Sequence, residues 1–192
     1  MDVSTVYDRA FFEAHLPWRG EYALIAEALA RRFAFSSVLD LGCGNGFLIA
    51  RLSELGKAVA GIDGSAHAVE LSAPAVAARI EVMDLSRPLW TRRRDLVICS
   101  EVAEHLAARH ADTLVDNICV NSRDLVFFTA ATPGQGGHFH VNEQPHQYWI
   151  DKFRLRCFQV DEESTKALRQ DLAGCIRALW WFTRNAVVFR AE

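Results

Sequence analysis

Paired cysteines are missing from this 192-residue sequence: its five, Cys43, Cys99, Cys119, Cys157 and Cys175, are odd in number and include no CxxC spacing. That argues against a disulfide framework and for reduced thiols packed as small hydrophobes in a cytoplasmic protein. A positive surplus is missing too. With 21 Lys and Arg against 24 Asp and Glu the formal charge is −3, so no overall basic field awaits a nucleic acid, although Arg92, Arg93 and Arg94 form a local basic turn. Nowhere do about eighteen uncharged apolar residues run together, and the first residues carry acids where an export signal would be basic and then apolar. Neither a membrane span nor export is expected. Internal repeats, low-complexity tracts and Ser/Gly linkers are absent as well, so residues 1–192 are expected to form a single domain around one core.

What is present is alternation. Seven short β-rich runs, at 36–41, 57–63, 78–85, 94–100, 123–130, 156–161 and 185–190, are separated by stretches long enough for crossover helices. The first five are apolar on both faces, as expected of parallel strands covered by helices on both sides. The expected fold is α/β, a doubly wound seven-stranded Rossmann-like sheet. The seventh strand is expected to enter antiparallel, as a hairpin partner beside the sixth at the sheet edge, after a helix that fades at Gly174. Residues 1–33 read as a helical cap on the α/β core of 34–192, two amphipathic helices broken at "LPWRG", with 21–33 packing on the sheet and 3–19 covering a pocket. The cap carries Tyr7 and Trp18, expected at a cofactor and at a second substrate respectively.

The stretch "VLDLGCGNGF", residues 38–47, ends a strand in three glycines, Gly42, Gly44 and Gly46, before a helix begins near Phe47. Bare backbone there permits tight turning and close approach of a ligand to main-chain N–H groups. The spacing is GxGxG, not the GxGxxG of dinucleotide folds, and Asp40 precedes the first glycine, where a carboxylate repels a diphosphate and attracts an ammonium group. The second strand ends in Asp63 and Gly64, placing an acid where it accepts from ribose hydroxyls or caps the next helix. The third ends in Met83, Asp84 and Leu85, where an adenine can stack on apolar atoms while Asp84 takes its amino protons.

"VLDLGCGNG", "GIDGS", "VMDLS" and "DLVICSEVAEHL", in this order, resemble the class I S-adenosylmethionine-dependent methyltransferases over about residues 36–130, and "NAVVFR" resembles their antiparallel last strand. The resemblance implies a seven-stranded sheet and S-adenosyl-L-methionine as cofactor. It further implies that the three glycines and Asp40 meet the methionine moiety, Asp63 the ribose, and Asp84 and Leu85 the adenine, with Ser100 and Glu101 lining the pocket.

After the fifth strand, "TAATPGQGGHFHVNEQPHQYW" holds three histidines in a loop expected at the carboxyl edge of the sheet. His138 and His140 alternate, so in extended backbone they point the same way, and one of them is the candidate general base because an imidazole titrates near neutral pH. The alternative is that both orient the loop by bonding to main chain. His146 is expected to start the next helix. The loop resembles that of small-molecule or glycan-modifying methyltransferases, which implies Asn142, Glu143, Tyr148 and Trp149 at the acceptor.

"SEVAEHL" places Glu101, Glu104 and His105 within one helical turn, and with His140 they make a possible carboxylate and imidazole site for a divalent ion. That set resembles the small-RNA terminal 2′-O-methyltransferases. Metal-free members of the wider fold carry a similar stretch, so the expectation is no metal, with His105 in the catalytic cluster. "ALWWF", residues 178–182, reads as core or edge packing. The expected activity is methyl transfer to a small-molecule or saccharide hydroxyl by a monomer or homodimer, with nucleic acid and membrane disfavoured. A metal-dependent RNA 2′-O-methyltransferase and a non-catalytic cofactor-binding subunit are the alternatives.

Overall fold

A computed structural model describes residues 3–192. Three helices precede the sheet: α1 (Val3–Val6), α2 (Arg9–His15) and α3 (Arg19–Arg32). Then β1 (Ser37–Leu41), α4 (Phe47–Glu54), β2 (Ala58–Asp63), α5 (Ala66–Glu70), β3 (Ile80–Val82) and β4 (Arg94–Ser100) follow. After them come α6 (Ala111–Asn121), β5 (Ser122–Thr129), α7 (His146–Arg154), β6 (Phe158–Val160), α8 (Glu162–Cys175), α9 (Trp181–Asn185) and β7 (Val187–Ala191). The seven strands form one sheet in the order β3-β2-β1-β4-β5-β7-β6. Pairing is parallel from β3 through β5, and β7 runs antiparallel to both β5 and β6.

The strand sequences explain why both faces are covered. Val38, Leu96, Ile98, Leu125, Phe127 and Val188 point into a core shared with α3, α4 and α8, while Leu39, Val97, Cys99, Val126, Phe128 and Phe189 point into a second core against α6 and α7. Successive side chains of a strand alternate faces, so an unbroken apolar run serves two helical layers.

Three expectations are corrected. The antiparallel strand β7 is not at the edge: it sits between β5 and β6, and short β6 takes the edge. The helix running to residue 175 leaves enough chain for α9 and a return into the interior of the sheet, where Val187, Val188 and Phe189 are buried. Second, β3 spans Ile80–Val82 rather than reaching residue 85, so Asp84 and Leu85 lie in the turn beyond it. Third, the break in the cap is one 3₁₀ turn, Leu16–Trp18, with Pro17 at its start, and Gly20 continues inside α3.

Helix α3 buries Ile25, Ala26, Ala28 and Leu29 against the sheet side, whereas α1 and α2 lie across the carboxyl ends of the strands. There Ser65 Oγ donates to the Tyr7 carbonyl at 2.7 Å and Arg9 pairs with Glu70 at 2.7 Å.

Candidate active site

A cavity of about 910 Å³ opens at the carboxyl ends of β1 to β4 beneath α1 and α2. The glycine turn forms its floor. Gly42 N donates to Ile62 O at 2.7 Å and Gly46 N to Cys43 O at 2.9 Å, so the turn is anchored to β2. Gly42 has φ +81°, and a Cβ on it would lie 2.2 Å from Val102 Cγ2; glycine is required there by backbone conformation and by packing alike. Gly42, Gly44 and Gly64 line the cavity, but Gly46 does not. Its left-handed φ begins α4, and a Cβ would meet Ile80 Cδ1 at 2.9 Å, so its role is packing.

Each of the three strand-end acids lines the cavity, in a different electrostatic state. Asp40 is buried, its Oδ1 has no partner, and burial followed by the charge of Asp63 pushes its pKa up to about 8. Asp63 accepts from Gly44 N and Ser65 N, both at 2.9 Å, which partly offsets the burial that raises its pKa. Ser65, rather than Asp63, is the N-cap of α5. Asp84 accepts from Ser86 Oγ at 2.6 Å and Ser86 N at 2.9 Å, and these bonds hold its pKa below the ordinary value. Leu85 is in the lining beside it; Met83 is not, being partly exposed and tied by its N–H to Asp63 O.

Ser100 and Glu101 line the cavity at the end of β4. Glu101 has φ +53°, unusual for a residue with a side chain, and is held there from several directions. Its N–H reaches Thr129 O and Oγ1, both at 3.0 Å, while its carboxylate accepts from Asn185 Nδ2 and Gln135 Nε2, both at 3.1 Å. Asn185, buried at the root of β7, and Gln135, in the loop after β5, are joined at 2.9 Å and carried no signal in the sequence.

The other end of the cavity is rich in imidazoles. The "AEH" segment is a 3₁₀ turn, Ala103–His105, not a helix start. Glu104 is buried with both carboxylate oxygens unpartnered, and burial, then the Glu101 charge, raises its pKa. Burial and the neighbouring His140 lower His105 to about 4, so it is neutral at physiological pH. His140 Nδ1 lies 2.9 Å from Glu143 Oε1 and its Nε2 lies 4.0 Å from Glu104 Oε1. Ligand atoms of Glu104, His105 and His140 all fall within 4.8 Å of one another. Glu101 stands outside this group, its carboxylate engaged by the two amides.

His138 and His140 both line the cavity, though not as alternating residues of an extended strand, because Phe139 between them has φ +53°. His138 Nε2 lies 3.0 Å from the Val6 carbonyl, which ties the loop to α1, and its ring contacts Tyr7 and Phe11. Tyr7 also meets His105 edge-on, and burial, Glu104 and Asp63 push its hydroxyl up to about 12.

The acceptor residues expected from the loop scatter. Trp18 lines the cavity. Trp149 is buried in the core against Phe128, and Tyr148 meets it edge-on beneath Lys152. Asn142 is buried and bonded to Gln144 Nε2 at 2.9 Å. Glu143 acts behind the wall, accepting from Gly134 N and Gly136 N as well as facing His140. His146 begins α7, away from the cavity. Conversely, Phe11 and His15, in the stretch expected to cover a pocket, line the cavity together with Tyr22, Trp180 and Trp181, which were expected in the packing.

Residues 38–121 match a methyltransferase domain family. No curated protein sequence matches the chain. Among solved structures, a TehB-like S-adenosylmethionine-dependent methyltransferase from Corynebacterium glutamicum superposes with TM-score 0.68 at 19% identity, covering 96% of this chain and 100% of that one. Magnesium protoporphyrin IX methyltransferase from Synechocystis, with bound S-adenosylmethionine, gives 0.63 at 16% identity over 98% and 89% of the two chains. The O-methyltransferase of a trans-AT PKS multienzyme of Brevibacillus brevis, in complex with S-adenosyl-L-homocysteine, gives 0.59 at 17% over 90% and 70%. These likenesses show the fold, and the match to a methyltransferase domain covers the glycine loop and its ordered acids.

Proposed function

We propose that the chain methylates a hydroxyl of a small-molecule or saccharide acceptor, with His140 as general base. The observation that carries this reading is the orientation of the His140 ring. Glu143 is held below the ordinary carboxylate range by His140, so it is an acceptor, and the 2.9 Å contact requires Nδ1 to carry the proton. The lone pair is then on Nε2 of a ring that lines the cavity. A carboxylate behind an imidazole both orients it and stabilises the cation formed when it takes a proton.

The residues of the glycine end fit the cofactor. An orphaned buried oxygen on Asp40 suits the ammonium of its methionine moiety, and Asp63, Asp84 and Leu85 suit its nucleoside. When bound, S-adenosylmethionine supplies a methyl group already activated on sulfonium. The chain then has two tasks: to align the acceptor oxygen in line with that methyl and to accept its proton at His140 Nε2. His138, bonded to Val6 O, is assigned to holding the cap, and His105, neutral at pH 7, to packing beneath His140.

The test is turnover of cofactor with a panel of hydroxylated acceptors. His140→Ala is expected to lower kcat by about 10²- to 10⁴-fold, with binding of S-adenosyl-L-homocysteine unchanged. Unchanged turnover in that variant overturns the assignment.

A second reading, metal-dependent transfer to an RNA 2′-hydroxyl, is favoured by one observation: the 4.8 Å cluster of Glu104, His105 and His140, in which the buried Glu104 carboxylate has no hydrogen-bond partner. Those three residues would hold the ion, and a ligating His commonly donates its other nitrogen to a carboxylate, as His140 does to Glu143. The charge of −3 weighs against RNA. Dialysis against EDTA separates the readings: retained turnover supports the imidazole base, and loss restored by Mn²⁺ supports the ion.

A further inference from the structure

A line of touching rings runs along the cavity wall away from the imidazole cluster. His140 meets His105 with ring centroids 4.9 Å apart, His105 meets Tyr7 at 5.3 Å, and Tyr7 meets Phe11 at 5.1 Å. Phe11 meets His15 at 4.4 Å and His15 meets Trp18 at 4.7 Å; Trp18 meets Trp181 at 5.8 Å, and Trp181 meets Trp180 at 5.9 Å. All of them line the same cavity, and the line ends on Trp180, which is 49% exposed. A volume of about 910 Å³ stands at the upper end of the range that one small ligand occupies, so there is room beyond the cofactor for an acceptor reaching along this wall.

The polar chemistry of the outer stretch is defined by His15. Its Nδ1 is 2.7 Å from the Phe11 carbonyl, which can accept and cannot donate, so Nδ1 carries the proton and Nε2 is left as an acceptor. Burial also lowers the pKa of this imidazole, which keeps it neutral and accepting at pH 7. Indole faces beside a lone acceptor nitrogen suit a flat ring that carries a hydroxyl: the apolar face packs on tryptophan and the O–H donates to the histidine. Aliphatic chains satisfy the first element and not the second; a phosphate satisfies neither.

We infer that His15, Trp18, Trp180 and Trp181 form a subsite for a second, hydroxylated ring of the acceptor, distal to the ring that receives the methyl group. The inference rests on the transfer reading above and deepens it, since it makes the acceptor longer than one ring and gives the cap a part in choosing it. Sugars and phenols share this chemistry, and the probes distinguish them.

The experiment is saturation-transfer NMR on the full chain with S-adenosyl-L-homocysteine bound, so that no turnover is needed. Methyl β-D-glucopyranoside and 4-hydroxybenzyl alcohol are the hydroxylated probes, and toluene is the ring without a hydroxyl. Binding of either hydroxylated probe, absence of toluene binding, a loss of about tenfold in affinity in Trp180→Ala and a comparable loss in His15→Ala support the subsite. Trp90→Ala, at a site 78% exposed and outside the cavity, is expected to change nothing. The subsite is overturned if neither hydroxylated probe binds, if toluene binds as well as they do, or if Trp180→Ala and His15→Ala bind as the parent does. Failure of the His140 assignment shows separately, as unchanged turnover in His140→Ala with probe binding intact.

Discussion

At the glycine-loop end of the cavity, main-chain amides and strand register place each group, whereas at the imidazole end side chains from distant parts of the chain hold one another. Asp63 is bonded to the amides of Gly44 and Ser65, and the turn is pinned to Ile62 O. At the other end, His138 reaches from residue 138 to the carbonyl of Val6, Gln135 and Asn185 converge on Glu101, and Glu143 aligns His140. The first kind of construction follows from local sequence and sheet pairing. The second depends on loops and cap meeting correctly, through separate ties of about 0.5–1.5 kcal/mol where both partners are neutral and about 1.5–3 kcal/mol where a carboxylate accepts. The glycine end should therefore behave as a rigid part of the sheet and the imidazole end as a set of separable contacts.

The largest expected effect tests whether the acceptor end has a core of its own. Trp149→Ala is expected to cost about 3–5 kcal/mol in denaturant unfolding, as truncation of a buried tryptophan does. A stable variant with impaired acceptor binding would instead return Trp149 to the site.

Next is Gly42→Ala, expected to destabilise by about 2–4 kcal/mol through a strained positive φ and a Cβ forced onto Val102. A loss well under 1 kcal/mol would show that the turn is softer than its pinning implies.

Asp40→Asn sharpens the electrostatic side of the contrast. With its pKa raised to about 8, folded Asp40 keeps a proton that the unfolded chain gives up near its ordinary 3.8. Stability of the ligand-free chain therefore falls as pH rises through that window. An ammonium-bearing ligand reverses the preference, so S-adenosyl-L-homocysteine should bind more tightly as pH rises from 6 to 8 and release a proton on binding. Asp40→Asn is expected to remove both dependences and weaken binding by about 1.5–3 kcal/mol, measured by calorimetry in buffers of different ionisation enthalpy. Persistence of the proton release in that variant would assign it to another group.

The smallest effect belongs to His138→Ala. Loss of its bond to Val6 O should cost about 1 kcal/mol, speeding hydrogen exchange in α1 and α2 roughly fivefold while the glycine turn is unchanged. Equal acceleration at both ends would erase the distinction between them.

The same contrast governs what could be read before the structure. Strands β1, β2, β4 and β5 were legible because two-faced burial writes an unbroken apolar run, and the acids at their ends were legible because a strand end is also a sequence boundary. Edge strands and the cap were harder. The place of β7 between β5 and β6 depends on long-range pairing, and no local pattern distinguishes an edge partner from an interior one. Trp149 was misplaced for a related reason: an aromatic residue on a helix start reads alike whether its face meets a cavity or a core. His15, Trp180 and Trp181 were missed because residues 15 and 180 become neighbours only when the cap folds across the sheet.

By itself, then, the chain's order of residues determined a doubly covered sheet, a glycine turn that needs positive φ, and carboxylates at or just past the ends of consecutive strands. These depend on backbone periodicity and on hydrogen bonds between near neighbours or paired strands. Tertiary structure alone decided that His140 rather than His138 is backed by a carboxylate, that Glu101 is clamped by two distant amides, and that the cap's rings join those of α9. Such choices depend on which loops come within about 3 Å of each other, a distance set by the packing of the whole domain.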